Sequence, residues 1–247
     1  MLPVLCVLGW TSSARTHEEL VSNLVRDGRF STSAGVAAMR NVDRAHFVPD
    51  AVRKHAYDDR PLPLGSGATI SAPHMHAAMI DVLEPYLRPG ASVLDVGVGS
   101  GYLLAVMAQM VGEGGTVHGI DRVPELVELA ARNLEAHDAS LIASGRATLS
   151  LADGWVGADE YAPYDAIHVG AAAEAVPAPL VAQLRPGGRM VVPVGPDGGA
   201  QALVQVDKAP DGEVVATQLM AVRFVPLVPG VGDRGCDDGS NQHRAAG

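Results

Sequence analysis

The chain has 247 residues, 47% of them hydrophobic, which suits one sizeable α/β domain with a small addition. Aspartate and glutamate total 28 against 18 lysines and arginines, a formal charge of −10 that argues against a phosphate backbone as the main partner and disfavours nucleic-acid methylation. The two cysteines, Cys6 and Cys236, lie near opposite termini in no metal-ligand spacing, so neither a disulfide framework nor a zinc site is expected, and a reducing compartment fits.

From the start of the chain, Met1 to Leu8 is apolar but lacks a positively charged lead and is too short to span a bilayer. It reads as an N-terminal extension of a soluble, intracellular protein, with a cryptic signal as the alternative. Thr16-His17-Glu18-Glu19 has the form of a capping box, and Leu20, Val21, Leu24 and Val25 continue it as the apolar face of a helix that Gly28 stops. A second short helix is expected from Ser33 to Met39, the pair packing as a cap beside a sheet. Tyr57 to Gly67, rich in Asp, Pro and Gly, is expected to be loop. Ala68 to His76 leads into a helix reaching about Leu87, with Pro73 in its first turn. On residue type alone Ser71 reads as an ordinary cap and His76 as a packed or exposed histidine.

Ala91 to Gly101 reads Ala-Ser-Val-Leu-Asp-Val-Gly-Val-Gly-Ser-Gly, a strand running into a glycine turn, before Tyr102 to Ala108 resumes with helical spacing. Such a turn lets a ligand approach the backbone, and the helix behind it points free N–H groups at the ligand. A dinucleotide fingerprint requires G-x-G-x-x-G, yet Tyr102 stands where its third glycine would be, which counts against a nicotinamide site. Asp121 ends the strand-like run from Thr116 and is placed to accept hydrogen bonds from ribose hydroxyls. A helix from Pro124 to about Ala136, a strand Ala147 to Leu151, a turn at Asp153-Gly154 and a strand Asp165 to Val169 ending in Gly170 continue the alternation. A helix near Pro179 to Leu184 and a strand Met190 to Val194 follow. The runs Gln201 to Asp207 and Val214 to Leu227, either side of Ala209-Pro210-Asp211-Gly212, read as an antiparallel hairpin. Strands alternating with helices imply a doubly wound, Rossmann-like, mostly parallel α/β sheet with ligands beyond its carboxyl ends, where Asp95, Asp121, Asp153 and Gly170 gather. With the C-terminal hairpin and N-terminal helices this makes a single domain over 10–228, its helical cap spanning about 10–56, with a disordered tail over 229–247.

The pattern Asp95-x-Gly97-x-Gly99-x-Gly101 resembles the first motif of S-adenosylmethionine-dependent methyltransferases. Together with Ala68 to His76, Tyr164 to Ala173, Pro186-Gly187-Gly188-Arg189 and Pro193 to Pro196, the chain from about Trp10 to Leu227 is similar to the protein-L-isoaspartate (D-aspartate) O-methyltransferases, in their eukaryotic form. The resemblance implies S-adenosyl-L-methionine as cofactor, S-adenosyl-L-homocysteine as product, and isoaspartyl peptides and damaged proteins as partners, with no nucleic acid, membrane or metal, in a cytosolic monomer. It implies that Ala68, Thr69, Ile70 and Ser71 form the substrate and cofactor segment, with Ser71 the active-site serine and His76 on the cofactor side. Asp95, Val96, Gly97, Val98 and Gly99 would hold the methionine part, Asp121 the ribose, and Asp153 and Gly154 the adenine border, with Arg122 also among the cofactor-binding residues. Val98 departs from the frequent serine of the glycine loop, and Val228 from a threonine near the cofactor. The methyl ester of an isoaspartyl α-carboxylate would then close to a succinimide and hydrolyse partly to normal aspartate. Two alternatives stay open on the residues: a non-catalytic adaptor, whose relatives carry long C-terminal recruitment segments, and a methyltransferase for small carboxylic acids.

Overall fold

A computed structural model describes residues 12–232; the apolar opening, both cysteines and the tail beyond 232 lie outside the described residues. Seven strands form one sheet in the order β5-β4-β3-β6-β7-β8-β9. β3 (Ser92–Val96), β4 (Thr116–Asp121), β5 (Ala147–Leu151), β6 (Tyr164–Val169) and β7 (Leu184–Val194) run parallel, and β8 (Gln201–Lys208) and β9 (Val214–Val222) close one edge as an antiparallel hairpin. The chain moves from β3 outward through β4 to β5, then returns to place β6 on β3's other side. That reversal is where an open α/β sheet leaves a crevice beyond its carboxyl ends.

The N-terminal helices form as their caps dictate. The Thr16 hydroxyl accepts the Glu19 N–H at 3.2 Å to start α1 (His17–Arg26), which buries Leu20, Val21 and Leu24 against α2 (Ser33–Asn41) and the sheet-covering helices. α3 (Pro73–Leu83) stops earlier than the apolar pattern suggests: Pro85 has no N–H to donate, and a 3-10 turn over Glu84–Tyr86 replaces the last helical turn. α4 (Tyr102–Val111) is apolar on all sides, and every residue but Gln109 is buried. α5 (Pro124–Asp138), the short α6 (Ser140–Ala143) and α7 (Ala178–Gln183) complete the layers, leaving one apolar cluster on each face of the sheet.

Three further expectations are corrected. Tyr57 to Gly67 is not all loop: β1 (Leu62–Gly65) pairs antiparallel with β2 (Ala68–Ile70) through a turn at Gly65, Ser66 and Gly67, all at positive φ. Buried Leu62 and Ile70 face each other in that register and hold the hairpin to the core, which outweighs the prolines on either side of Leu62. β7 begins at Leu184, well before Met190. β9 ends at Val222, because the following segment leaves the edge to bond with Ala172: Val225 O accepts the Ala172 N–H at 2.8 Å and Ala172 O accepts the Leu227 N–H at 2.7 Å.

His118 lies within β4, 3% exposed, between the hydroxyls of Thr148 at 2.6 Å and Ser150 at 2.8 Å, with Tyr161 stacked on its ring. Burial pushes its pKa down to about 4. The unfolded chain takes up that proton near pH 6.5 whereas the folded chain does not, so stability present above about 6.5 is lost as pH falls toward 4. Urea titrations across that window are expected to show a decline of up to roughly 3 kcal/mol, smaller in His118→Gln. A profile unchanged by the substitution would assign the decline to other groups.

Candidate active site

An open cleft lies at the carboxyl ends of β3, β4 and β6, lined there by Val96, Gly97, Ile120, Asp121 and Gly170. Its floor is two glycine backbones face to face: a Cβ on Gly170 would stand 3.1 Å from the Gly97 carbonyl oxygen. Gly97, Gly99 and Gly101 take φ of 75°, 53° and 82°, the left-handed region that other residues enter with strain. The loop is tied down on the end of β4. Gly97 N–H and Val98 N–H both donate to Ile120 O, at 2.8 and 3.0 Å, and Gly99 N–H donates to the Asp121 carboxylate at 3.1 Å. The other Asp121 oxygen accepts the Val123 N–H at 3.1 Å, so both oxygens are oriented by backbone. Burial raises the Asp121 pKa, those backbone bonds oppose the rise, and the charge of Asp95 adds to it. α4 starts from Gly101 with no side-chain cap and no acid in its first turn, whose residues Tyr102, Leu103 and Leu104 are buried behind the loop.

One wall comes from the β1–β2 turn, through Ser66, Gly67, Ala68 and Thr69. The opposite wall is the segment after β9, through Val225 to Val228. This second wall is latched in place: Trp155 Nε1–H donates to Leu227 O at 2.8 Å, Gly230 N–H to Asp153 at 2.6 Å, and Arg122 Nε–H to Gly230 O at 3.0 Å. The start of the expected disordered tail is therefore hydrogen-bonded as far as Gly232, whose N–H donates to Arg122 O.

The sequence profile described as protein-L-isoaspartate(D-aspartate) O-methyltransferase (PCMT) matches residues 15–232. The chain belongs to this family. A Caenorhabditis elegans protein-L-isoaspartate O-methyltransferase is 44% identical over 89% of this chain and 96% of its own length. That of Methanothrix thermoacetophila is 51% identical over 78% of this chain and 87% of its own. A Plasmodium falciparum crystal structure carrying the same family name, in complex with S-adenosyl-L-homocysteine, superposes with a TM-score of 0.80 at 31% identity, covering 87% of this chain and 99% of that one.

Of the residues singled out from the sequence, Ala68, Thr69, Val96, Gly97, Gly99, Asp121, Arg122, Gly154, Gly170 and Val228 line the cleft together. The rest stand behind it. Ser71 is half-buried just before α3 and is not its cap: Ala72 occupies the cap position, and the buried Asp59 accepts the His74 N–H at 2.9 Å from outside the helix. Ile70 is core. Val98 points inward, so its replacement of serine leaves the loop backbone as it is. Asp153 caps the turn at Trp155 N–H with one oxygen and takes Gly230 N–H with the other. His76 is buried against Tyr102, their ring centroids 5.0 Å apart, and its Nδ1 lies 3.4 Å from Arg44 Nη1. Burial first, then Arg44, hold its pKa well below the ordinary range, so this imidazole is neutral.

Two features escaped the sequence reading. The first is the wall built by Ser66, Gly67 and Val225, whose signal was the Gly-Ser-Gly turn. The second is a His168–Asp95 pair, Nδ1 to Oδ1 at 2.7 Å, buried between β6 and β3. Among the described residues no group of three His, Cys, Asp or Glu is arranged to hold a metal ion, and no helix is long and apolar enough to cross a membrane.

Proposed function

We propose that this chain moves a methyl group from S-adenosyl-L-methionine to the α-carboxylate of L-isoaspartyl and D-aspartyl residues in damaged proteins and peptides, acting as a monomer in the cytosol. The observation that carries it is the family match over residues 15–232, with the glycine-floored cleft at the point where that family's cofactor belongs. The cleft suits the cofactor on its own chemistry. An ionisable carboxylate at a strand end fits ribose hydroxyls, the bare backbone of Gly97 and Gly99 lets the methionine portion approach closely, and the apolar wall of Leu126, Pro226 and Leu227 fits a flat base. In this reading Asp121 with Arg122 holds the ribose, Asp95 to Gly99 border the methionine portion, Asp153 and Gly154 the adenine, and Ala68 to Ser71 the junction with the peptide, with His76 supporting from behind.

When bound, the cofactor supplies an electrophilic methyl group on a sulfonium. The protein then has little proton chemistry to perform. A substrate carboxylate with a reference pKa of about 4 is already ionised at neutral pH, so no general base is required. The two walls exclude water and hold the carboxylate in line, which is where most of the acceleration arises when two opposite charges disappear. Ser71, released from capping, orients the carboxylate by donating one hydrogen bond.

Two measurements test this. Labelled methyl transfer to matched peptides is expected with the isoaspartyl linkage and not with the aspartyl twin; equal labelling of both would end the assignment. Ser71→Ala is expected to lower kcat/KM by roughly 10- to 150-fold, the worth of one charge-assisted hydrogen bond. A loss beyond about ten-thousandfold would mean the hydroxyl reacts, and none would remove it from the site.

A further inference from the structure

An aspartate followed by glycine is the pair in which a side-chain carboxyl group most readily closes on its own backbone, because the next residue has no Cβ to obstruct its nitrogen. The chain contains five such pairs, at Asp27, Asp153, Asp197, Asp211 and Asp238, the last of them outside the described residues. Closure requires a carboxyl group free to turn and a following N–H free to attack. At Asp27 neither is free: Ser12 Oγ–H and Arg26 Nε–H each donate to the carboxylate at 2.9 Å, and Gly28 N–H donates to Val25 O at 3.1 Å. Both Asp153 oxygens accept backbone N–H groups, from Trp155 and Gly230, and Gly154 is buried between Leu227 and Val96. Asp211 is exposed, yet its Oδ1 accepts the Glu213 N–H at 3.1 Å and Gly212 N–H donates to Ala209 O at 2.9 Å.

Asp197 differs from all three. Among the described residues nothing bonds its carboxylate or the Gly198 N–H, both residues are exposed, and a Cβ on Gly198 would meet no atom within 4 Å. They are the two central residues of a turn closed by Gly199 N–H to Pro196 O at 3.2 Å, the long end of such bonds. The same Pro196 oxygen accepts Gln201 Nε2–H at 3.3 Å. Gln201, buried at 5% exposure, also donates to Phe224 O at 3.3 Å and accepts the Phe224 N–H at 2.7 Å. Phe224 is the residue before Val225, where the second wall of the cleft begins.

We propose that Asp197–Gly198 is an ageing site built into this chain, where the aspartyl linkage turns isoaspartyl and, through Pro196 and Gln201, loosens the wall of the cleft. The Gly198 nitrogen attacks Cγ of Asp197; a C–N bond forms, the amide proton and the carboxyl hydroxyl leave as water, and a succinimide ring results. Water then adds at the α-carbonyl carbon and the bond from that carbon to the Gly198 nitrogen breaks. The chain now runs through Cβ and Cγ, the α-carboxyl group is free, and the mass is unchanged. One extra backbone carbon at the corner of the turn moves the Pro196 oxygen away from its two donors. The product is the linkage in the name of the family to which the chain belongs.

The ageing itself is tested without any use of the cleft. The purified chain is incubated warm with no methyl donor, digested and mapped by electron-transfer fragmentation, which splits the Cα–Cβ bond of an isoaspartyl residue. Isoaspartate is expected at 197 at about tenfold or more the level at 27 and 153, where two hydrogen bonds on the carboxylate must break first, with 211 between. In urea, where those bonds are gone, the four sites should converge. An even spread over the four in the folded chain, or none at 197, overturns the proposal. The isoaspartyl fraction, separated by ion exchange, is expected to bind S-adenosyl-L-homocysteine roughly 2- to 10-fold more weakly by calorimetry, the worth of one neutral hydrogen bond. Asp197→Glu keeps the charge but lengthens the side chain beyond easy closure, and should hold its affinity through the same incubation. Equal affinity in the aged and fresh parent overturns the link to the wall. Absence of binding in the fresh parent is a separate failure, that of the methyltransferase reading, and leaves the map of isoaspartate as it stands.

Discussion

Asp121→Ala is expected to bind S-adenosyl-L-methionine at least about 100-fold more weakly than the parent chain while remaining folded. Each hydrogen bond to a charged group is worth roughly 1.5–3 kcal/mol, and a carboxylate spanning two ribose hydroxyls makes two of them. Two decades of affinity correspond to about 2.8 kcal/mol, just below the roughly 3–6 kcal/mol that two such bonds would supply. The residue also does a second task, since its oxygens accept the Gly99 and Val123 N–H groups and thereby fix the glycine loop against the start of α5. Alanine removes both. The fold should tolerate the change because the carboxylate is itself disfavoured by burial, so its removal relieves a cost as well as losing bonds. Calorimetry on a variant with parental circular dichroism decides the matter; unchanged affinity would place the ribose elsewhere.

The part of this site that could be read from residues alone is the part built by local rules. Asp95 to Gly101 declares itself because an apolar strand, alternate glycines and an apolar helix permit few other backbones, and Asp121 declares itself because it ends the next strand. What stayed hidden depends on distant pairing. The His168–Asp95 contact requires that two strands 73 positions apart align in one register, and no pattern within either strand reports it. The β1–β2 hairpin was masked by prolines that suit an edge strand as well as a loop, while the burial of Leu62 and Ile70 that decides between them is a tertiary fact. Ser71 shows the converse error. Its residue type and its place before a helix suggest a cap, yet Asp59, brought in from another loop, accepts the His74 N–H and takes the capping role. Similarly, the segment after Val222 keeps the apolar composition of a strand, but Ala172 and Trp155 draw it off the sheet edge to wall the cleft.

That wall makes the last prediction. Gly154→Val is expected to abolish measurable S-adenosyl-L-methionine binding, a loss beyond about 100-fold, at a modest stability cost of about 1–3 kcal/mol. A Cβ at this position would stand 2.7 Å from Leu227 Cδ1 and 2.8 Å from Val96 Cγ1, closer than side chains approach one another. Val96 is a fully buried core residue between its strand neighbours and cannot yield. Leu227 can, because it sits on the segment held by hydrogen bonds from Trp155, Ala172 and, further on, Arg122 and Asp153. The strain therefore resolves by pushing Leu227 outward or into the cleft, and either movement spoils the apolar wall on which a flat base would rest. The rest of the fold depends little on that wall, since β9 has already ended at Val222 and Leu227 is only partly buried where it packs against the edge of a core cluster. Gly154→Ala, whose smaller side chain meets the same two atoms, should lose less. Binding isotherms and urea midpoints on both variants separate the possibilities: full affinity in a stable Gly154→Val would show that the base lies away from Leu227, whereas loss of binding in step with global unfolding would show only that the site cannot be uncoupled from the core.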